Sequence, residues 1–265
     1  MAIPYPKRLL LLSSFFLFGH CQEGPTNYRL PGEQWTMPFA SIQRDLPPAL
    51  DEISSLCDNG QQLMALNDEE GRLYPANFNP ELDPLPQAWG PPGDYEGLAF
   101  WPNLGYFILR SDGKIWQLGL KETQGQQLPF SLPPNIEYEG LCFWPQKQQL
   151  LVAAKSPAGL YLFSPKNGDY LPLLDLSPFL IHPSAVALSE DEKLLYVLAA
   201  KEQELWVFDS QRLTVLGQFI LPTYDLVQAE ALVVHGRASF WIGSEAQEDR
   251  PAQLWRYEEL PPLAQ

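Results

Sequence analysis

The chain repeats itself. The run "DYEGLAFWP" (Asp94–Pro102) returns as "EYEGLCFWP" (Glu137–Pro145). With the glutamate as marker, equivalents fall about 45 residues apart, at Glu52 in "DEISSL", Glu96, Glu139, Ser184 in "HPSAVAL" and Glu230 in "QAEALVV". A second marker keeps the same spacing. An aliphatic–aromatic pair recurs at Leu73-Tyr74, Ile115-Trp116, Leu160-Tyr161, Leu205-Trp206 and Leu254-Trp255. A unit this short cannot bury its own apolar face, so successive units must stack on one another.

Each unit reads as short strands. The second gives "EGLAFWP", "LGYFILRSD", "KIWQLG" and "QQLPFSL"; the fourth gives "SAVALSED", "KLLYVLAAK", "ELWVFD" and "TVLGQFIL". Aliphatic and aromatic runs bounded by Gly, Pro, Asn and Asp favour antiparallel strands. The 27 prolines punctuate the chain, and no long helical period stands outside the N-terminus. Four strands per unit of about 40–45 residues make a propeller blade, so the expected fold is an all-β propeller. There are five repeats, and the fifth stops after "QLWRYEE" one strand short. A strand from Asn27–Ala40 would complete it and close the ring, removing exposed edges. The reading is five blades of four antiparallel strands closed by an N-terminal strand, with six blades as the alternative.

The N-terminus differs in kind. Lys7 and Arg8 precede the apolar run Leu9–Phe18, too short to span a bilayer and suited to a signal peptide. Cys21 follows directly, as in a bacterial lipoprotein signal, although His20 stands where a small residue is usual. Residues 1–20 are therefore read as a signal peptide and 21–40 as tether and ring-closing strand. Residues 41–265 are read as the propeller. A lipid on Cys21 would tether the domain to an envelope membrane, the alternative being a simply secreted protein. Cys57 and Cys142 sit in apolar runs and read as buried free thiols.

The net charge is −15, which repels phosphate backbones and excludes nucleic acid as a partner. The propeller topology gathers part of that charge. The heads of the inner strands place Glu52, Glu96, Glu139, Ser184 and Glu230 around one channel mouth. The ends of the second strands bring Asp68, Arg110, Asp112, Lys155, Lys201 and Glu245 to the same face. Three arrangements are open for the carboxylates. They can hold Ca²⁺, which prefers hard oxygen ligands. They can pair with Arg110, Lys155 and Lys201, or accept backbone N–H bonds and lock blades together.

Catalytic signals are sparse. Of the histidines, His182 alone reaches this mouth, where it reads as a turn residue, and His235 falls on the opposite face. No nucleophile elbow, zinc-protease motif or phosphate loop occurs, and no Cys/His cluster suggests zinc.

The ordered set "DEISSL", "ALNDEEGRLY", "GDYEGLAF", "FILRSDGKIWQL", "EYEGLCF", "LLVAAK", "HPSAVAL", "LLYVLAAKEQELWVFD", "QAEAL" and "WIGSE" resembles the SdiA-regulated (YjiK-like) family of bacterial envelope proteins, over roughly Ala40 to Tyr257. The resemblance implies a β-propeller, secreted or membrane-tethered. It also implies kinship with calcium-dependent lactonases and esterase-like phytase domains, which hold a metal at the channel mouth partly through a Glu at the head of an inner strand. Glu96 and Glu139 match that placement; Ser184 departs from it.

Two functions follow as expectations. The first is a monomeric envelope propeller that binds a small molecule, peptide or glycan at its acidic mouth, with Ca²⁺ as a candidate cofactor. The alternative is a metal-dependent esterase, lactonase or phosphoesterase.

Overall fold

A computed structural model describes residues 32–83, 86–179, 181–222, 226–258 and 260. The expected signal peptide, Cys21 and most of the tether lie outside these residues. Among the described residues no helix is long and apolar enough to cross a membrane.

The chain opens with β1 (Glu33–Thr36) and β2 (Ile42–Asp45). Blade one follows as β3 (Ile53–Asp58), β4 (Leu63–Asn67) and β5 (Leu73–Pro75). Blade two holds β6 (Tyr95–Trp101), β7 (Gly105–Arg110), β8 (Ile115–Leu118) and β9 (Gln126–Gln127). Blade three holds β10 (Glu137–Trp144), β11 (Gln149–Ser156), β12 (Ala158–Phe163) and β13 (Tyr170–Asp175). Blade four holds β14 (Ala185–Leu188), β15 (Leu194–Ala199), β16 (Glu204–Asp209) and β17 (Val215–Ile220). Blade five holds β18 (Ala229–His235), β19 (Ser239–Ser244) and β20 (Gln253–Tyr257). Successive strands pair antiparallel within each blade, and five blades form the propeller. In blade one the described residues show three strands.

The core is a set of layers between neighbouring blades. Along β7, Phe107 and Leu109 pack into the layer shared with blade three, while Ile108 packs into the layer shared with blade one. Side chains alternate along a strand, so a strand buried on both faces must be apolar throughout. This is why the inner two strands of each unit read as unbroken apolar runs. The repeated glycine of "EGL" lets inner strands approach closely. A Cβ on Gly97 would lie 2.7 Å from the Leu141 Cβ, and one on Gly140 would lie 3.0 Å from the Val186 nitrogen.

An N-terminal strand closes the ring, as expected, but from a different place. The closing strand is β2, just beyond the segment Asn27–Ala40 assigned to it. It pairs antiparallel with β20, from Ile42 opposite Arg256 to Asp45 opposite Gln253. The Leu46 N–H donates to the Ala252 carbonyl at 2.7 Å, and the Gln253 amide donates to Asp45 at 2.8 Å. Arg44 donates to the Ala76 carbonyl in blade one at 3.0 Å, tying last blade to first. The assigned segment instead supplies β1, a fifth strand that pairs parallel with β17. Trp35 packs on Phe219 there, ring centroids 4.9 Å apart.

Both described cysteines are free thiols. Burial pushes both well above the ordinary thiol range. They line an apolar cavity of about 420 Å³ at one end of the channel, with Leu98, Phe100, Phe143 and Val234.

Candidate functional site

The functional side chains at the other mouth are placed by irregularities in the inner strands. Each of four inner strands carries a register shift against its partner at its head. The shifts fall between Ile53 and Ser55, Tyr95 and Gly97, Tyr138 and Gly140, and Ala229 and Ala231. The residue left out of the ladder is Ser54, Glu96, Glu139 or Glu230. A bulge leaves one residue unpaired and re-aims its side chain. Here it turns three glutamates out of the inter-blade layers and into the channel. Blade three has a second bulge. Glu137 pairs with Ser156 and Tyr138 with Ala154, so Lys155 is the extra residue on β11. It faces Glu139, its Nζ 3.1 Å from Oε1, and lies 3.8 Å from Glu137 Oε1.

Glu96, Glu139, Glu230 and Lys155 line a cavity of about 990 Å³, and Ser54 does not. Asp68, Asp94, Asp112, Glu137 and Glu245 also line it, with Lys114 and Lys155 as the cations. Such a concentration of carboxyls out of water favours the protonated form. Burial pushes Glu96 up to about 10, helped by Glu139, Asp94 and Glu230. Burial raises Glu230 to about 8, with Glu139 and Glu245 adding to it and Lys155 and Ser184 opposing. Glu139, only 5% exposed, is raised by burial to about 7, held down by Lys155. Burial takes Asp68 to about 7 with help from Glu52, and Glu245 to about 7 with help from Glu52 and Glu139. Burial pulls the Lys155 ammonium down, and the carboxylates around it, Glu139 first, more than restore it.

The structure sorts the residues expected at this mouth. Glu96, Glu139, Glu230, Asp68, Asp112, Lys155 and Glu245 line the cavity together. Glu52 does not line it and is exposed. The true counterpart of Glu96 in blade one is Ser54, and Glu52 corresponds to Asp94. The Asp68 N–H donates to the Glu52 carbonyl as the Ser111 N–H does to that of Asp94. Arg110 turns away from the cavity onto Asp112 and the face of Trp116. Ser184 is buried, its hydroxyl donating to the Ala229 carbonyl at 2.8 Å. Lys201 is exposed and lies outside the cavity lining. His182 is paired with Glu202, Nδ1 to Oε1 2.6 Å, and does not line the cavity either. His235 stands 2.8 Å from Asp58, which lines the apolar cavity at the other end of the channel, opposite the acidic mouth as expected.

Sequence reasoning missed Asp94, Glu137 and Gln228, which line the cavity two residues before the bulged glutamates. Their spacing was a usable signal, since it repeats with the "EGL" marker. It also missed Ser131, Leu132, Pro134, Asn135 and Ile136, which form a wall from the connection between blades two and three. Its Leu132-Pro133-Pro134 recurs as Leu46-Pro47-Pro48 ahead of blade one and in part as Leu221-Pro222 ahead of blade five, a signal that was open to reading. Among the described residues no group of three or more His, Cys, Asp or Glu side chains is arranged to hold a metal ion.

The fold and the carboxylate-lined channel define a five-bladed β-propeller. No protein-family model matches the sequence. No curated protein matches it. Among solved structures it is similar to glutaminyl cyclase of Myxococcus xanthus, with a TM-score of 0.61 and 13% identity, over 85% of this chain and 97% of that one. At that identity the likeness is one of fold.

Proposed function

We propose that the protein is a ligand-binding propeller of the bacterial cell envelope, SdiA-regulated-like and tethered through Cys21, whose acidic channel mouth takes a cationic ligand. One observation carries this reading: bulges in three separate blades deliver Glu96, Glu139 and Glu230 to a single open cavity. Packing does not require a carboxyl at these positions, since Ser54 and Ser184 occupy the same place in the other two blades. Buried carboxyls without matching cations are costly, and a bound cation offsets that cost.

Ca²⁺ is the inorganic candidate, because carboxylate oxygens are its preferred ligands. The carboxylates would have to draw together to hold it, since no described group is arranged for a metal ion. Thermal unfolding of the purified domain with calcium and with chelator tests this. A bound ion raises the melting temperature by mass action, and identical curves would remove Ca²⁺ from the reading.

A second reading is hydrolysis of esters, lactones or phosphoesters. What favours it is that Glu139, Glu245 and Asp68 titrate near neutrality, where a general base works best. Turnover on an ester, lactone and phosphate panel that disappears in Glu139→Gln supports it. An inert domain, with each divalent metal supplied, rules it out.

A further inference from the structure

The cavity is much larger than an ion and is lined unevenly. In a five-membered ring the junction of blades two and three stands across the channel from blade five. The junction supplies Leu132, Pro134 and Ile136, the apolar part of a wall that also holds Ser131 and Asn135; blade five supplies Glu230 and Glu245. Glu230 is sunk deep enough that burial leads the causes of its raised pKa. The Ser184 hydroxyl beside it donates to the Ala229 carbonyl at 2.8 Å and is also a hydrogen-bond partner of Glu230. Glu230 thus presents to the cavity a carboxyl whose hydrogen-bond partner is a shared neutral hydroxyl. A primary ammonium is already seated nearby, since Lys155 Nζ lies 3.1 Å from Glu139.

We infer that the mouth takes an organic amine, its ammonium head held between Glu139 and Glu230 and a short apolar body laid against Pro134 and Ile136. This rests on the reading of the mouth as a cation site and narrows its ligand. An ammonium has three donors and can serve carboxyls that are too widely set to share one metal ion. The apolar wall would gain from covering a hydrocarbon body and would gain nothing from a bare ion. Lys155 acts here as an internal competitor, occupying part of the place the ligand's head would take.

The test is titration calorimetry on the purified full-length protein with phenethylamine, the neutral 2-phenylethanol of the same shape, and CaCl₂. Phenethylamine is expected to bind and the alcohol not. Glu230→Gln should weaken the amine tenfold or more. Lys155→Gln should tighten it severalfold, an effect that a loss of folding cannot mimic. Melting curves check that both variants are folded. Equal binding of amine and alcohol overturns the inference, as does amine binding that Glu230→Gln leaves unchanged. Calcium binding with no amine binding also overturns it while leaving the cation reading of the mouth intact. If none of the three binds, the inference and that reading fall together.

Discussion

A carboxyl buried at the mouth acts on stability. Asp68, Glu96, Glu139, Glu230 and Glu245 all hold their protons more tightly in the folded protein than an exposed carboxyl does. Stability linked to a raised acid pKa is fully present below the ordinary carboxyl range and is lost as pH rises through the folded value. The folded values here run from about 7 to about 10. The melting temperature of the free protein should therefore fall between about pH 5 and about pH 9. Glu96→Gln removes the largest contributor and is expected to gain about 1–3 kcal/mol over wild type at about pH 9, with little change at about pH 5. Calorimetric melts across that range check both; parallel curves for wild type and variant would contradict a buried, protonated Glu96. The same sign governs binding. A cation is held best by charged carboxylates, so affinity for an amine should rise from about pH 6 to about pH 8, before the amine itself loses its proton. At this scale Glu96, Glu139 and Glu230 were legible, because each interrupts an apolar run that packing alone explains. Glu52 was misplaced because matching one letter overrode matching the apolar frame. Aligning Leu56 with Leu98 and Leu141 puts Ser54 at the head of the strand.

At the scale of the element, a strand buried on both faces hides its own irregularities. In a half-exposed strand a one-residue slip would bring polar residues to the wrong side and show in the sequence pattern. In β6 and β10 both faces are apolar, so the bulges at Glu96 and Glu139 leave no such mark. The second bulge, at Lys155, was equally invisible, and it leaves Lys155 out of the ladder, facing Glu139. What the sequence did show was the glycine after each bulge. Gly97→Ala would set its Cβ 2.7 Å from the Leu141 Cβ and 2.9 Å from its nitrogen. Neighbouring inner strands would have to separate, at an expected cost of about 1–3 kcal/mol. A denaturant midpoint measures this, and a neutral result would mean that the two inner strands can shift freely.

For the whole molecule, the repeat pointed to five blades, with six as the alternative, and to an N-terminal closing strand. It did not locate that strand, because β2 is four residues long and exposed along most of its length. Such a strand has too few apolar residues to announce itself. Its role can be measured. Deleting residues 32–46 bares the edge of β20 and removes the Arg44 tie to blade one, and the expected result is loss of a single cooperative unfolding transition, with aggregation. Deleting residues 32–37 removes β1 alone and should leave the transition cooperative at a lower midpoint. Urea unfolding followed by tryptophan fluorescence separates the two. Equal cooperativity in both would show that the ring does not depend on β2.

The pairing of β2 with β20 joins one of the first described strands to the last. The mouth draws its carboxyls from blades one, two, three and five, so no contiguous stretch of the chain contains it. During synthesis the early blades emerge first, and blades two and three carry most of the lining with them. The last blade completes it by adding Gln228, Glu230 and Glu245. A chain halted short of β18 would lack Glu230 and Glu245 together, and with them the β20 edge that β2 pairs with.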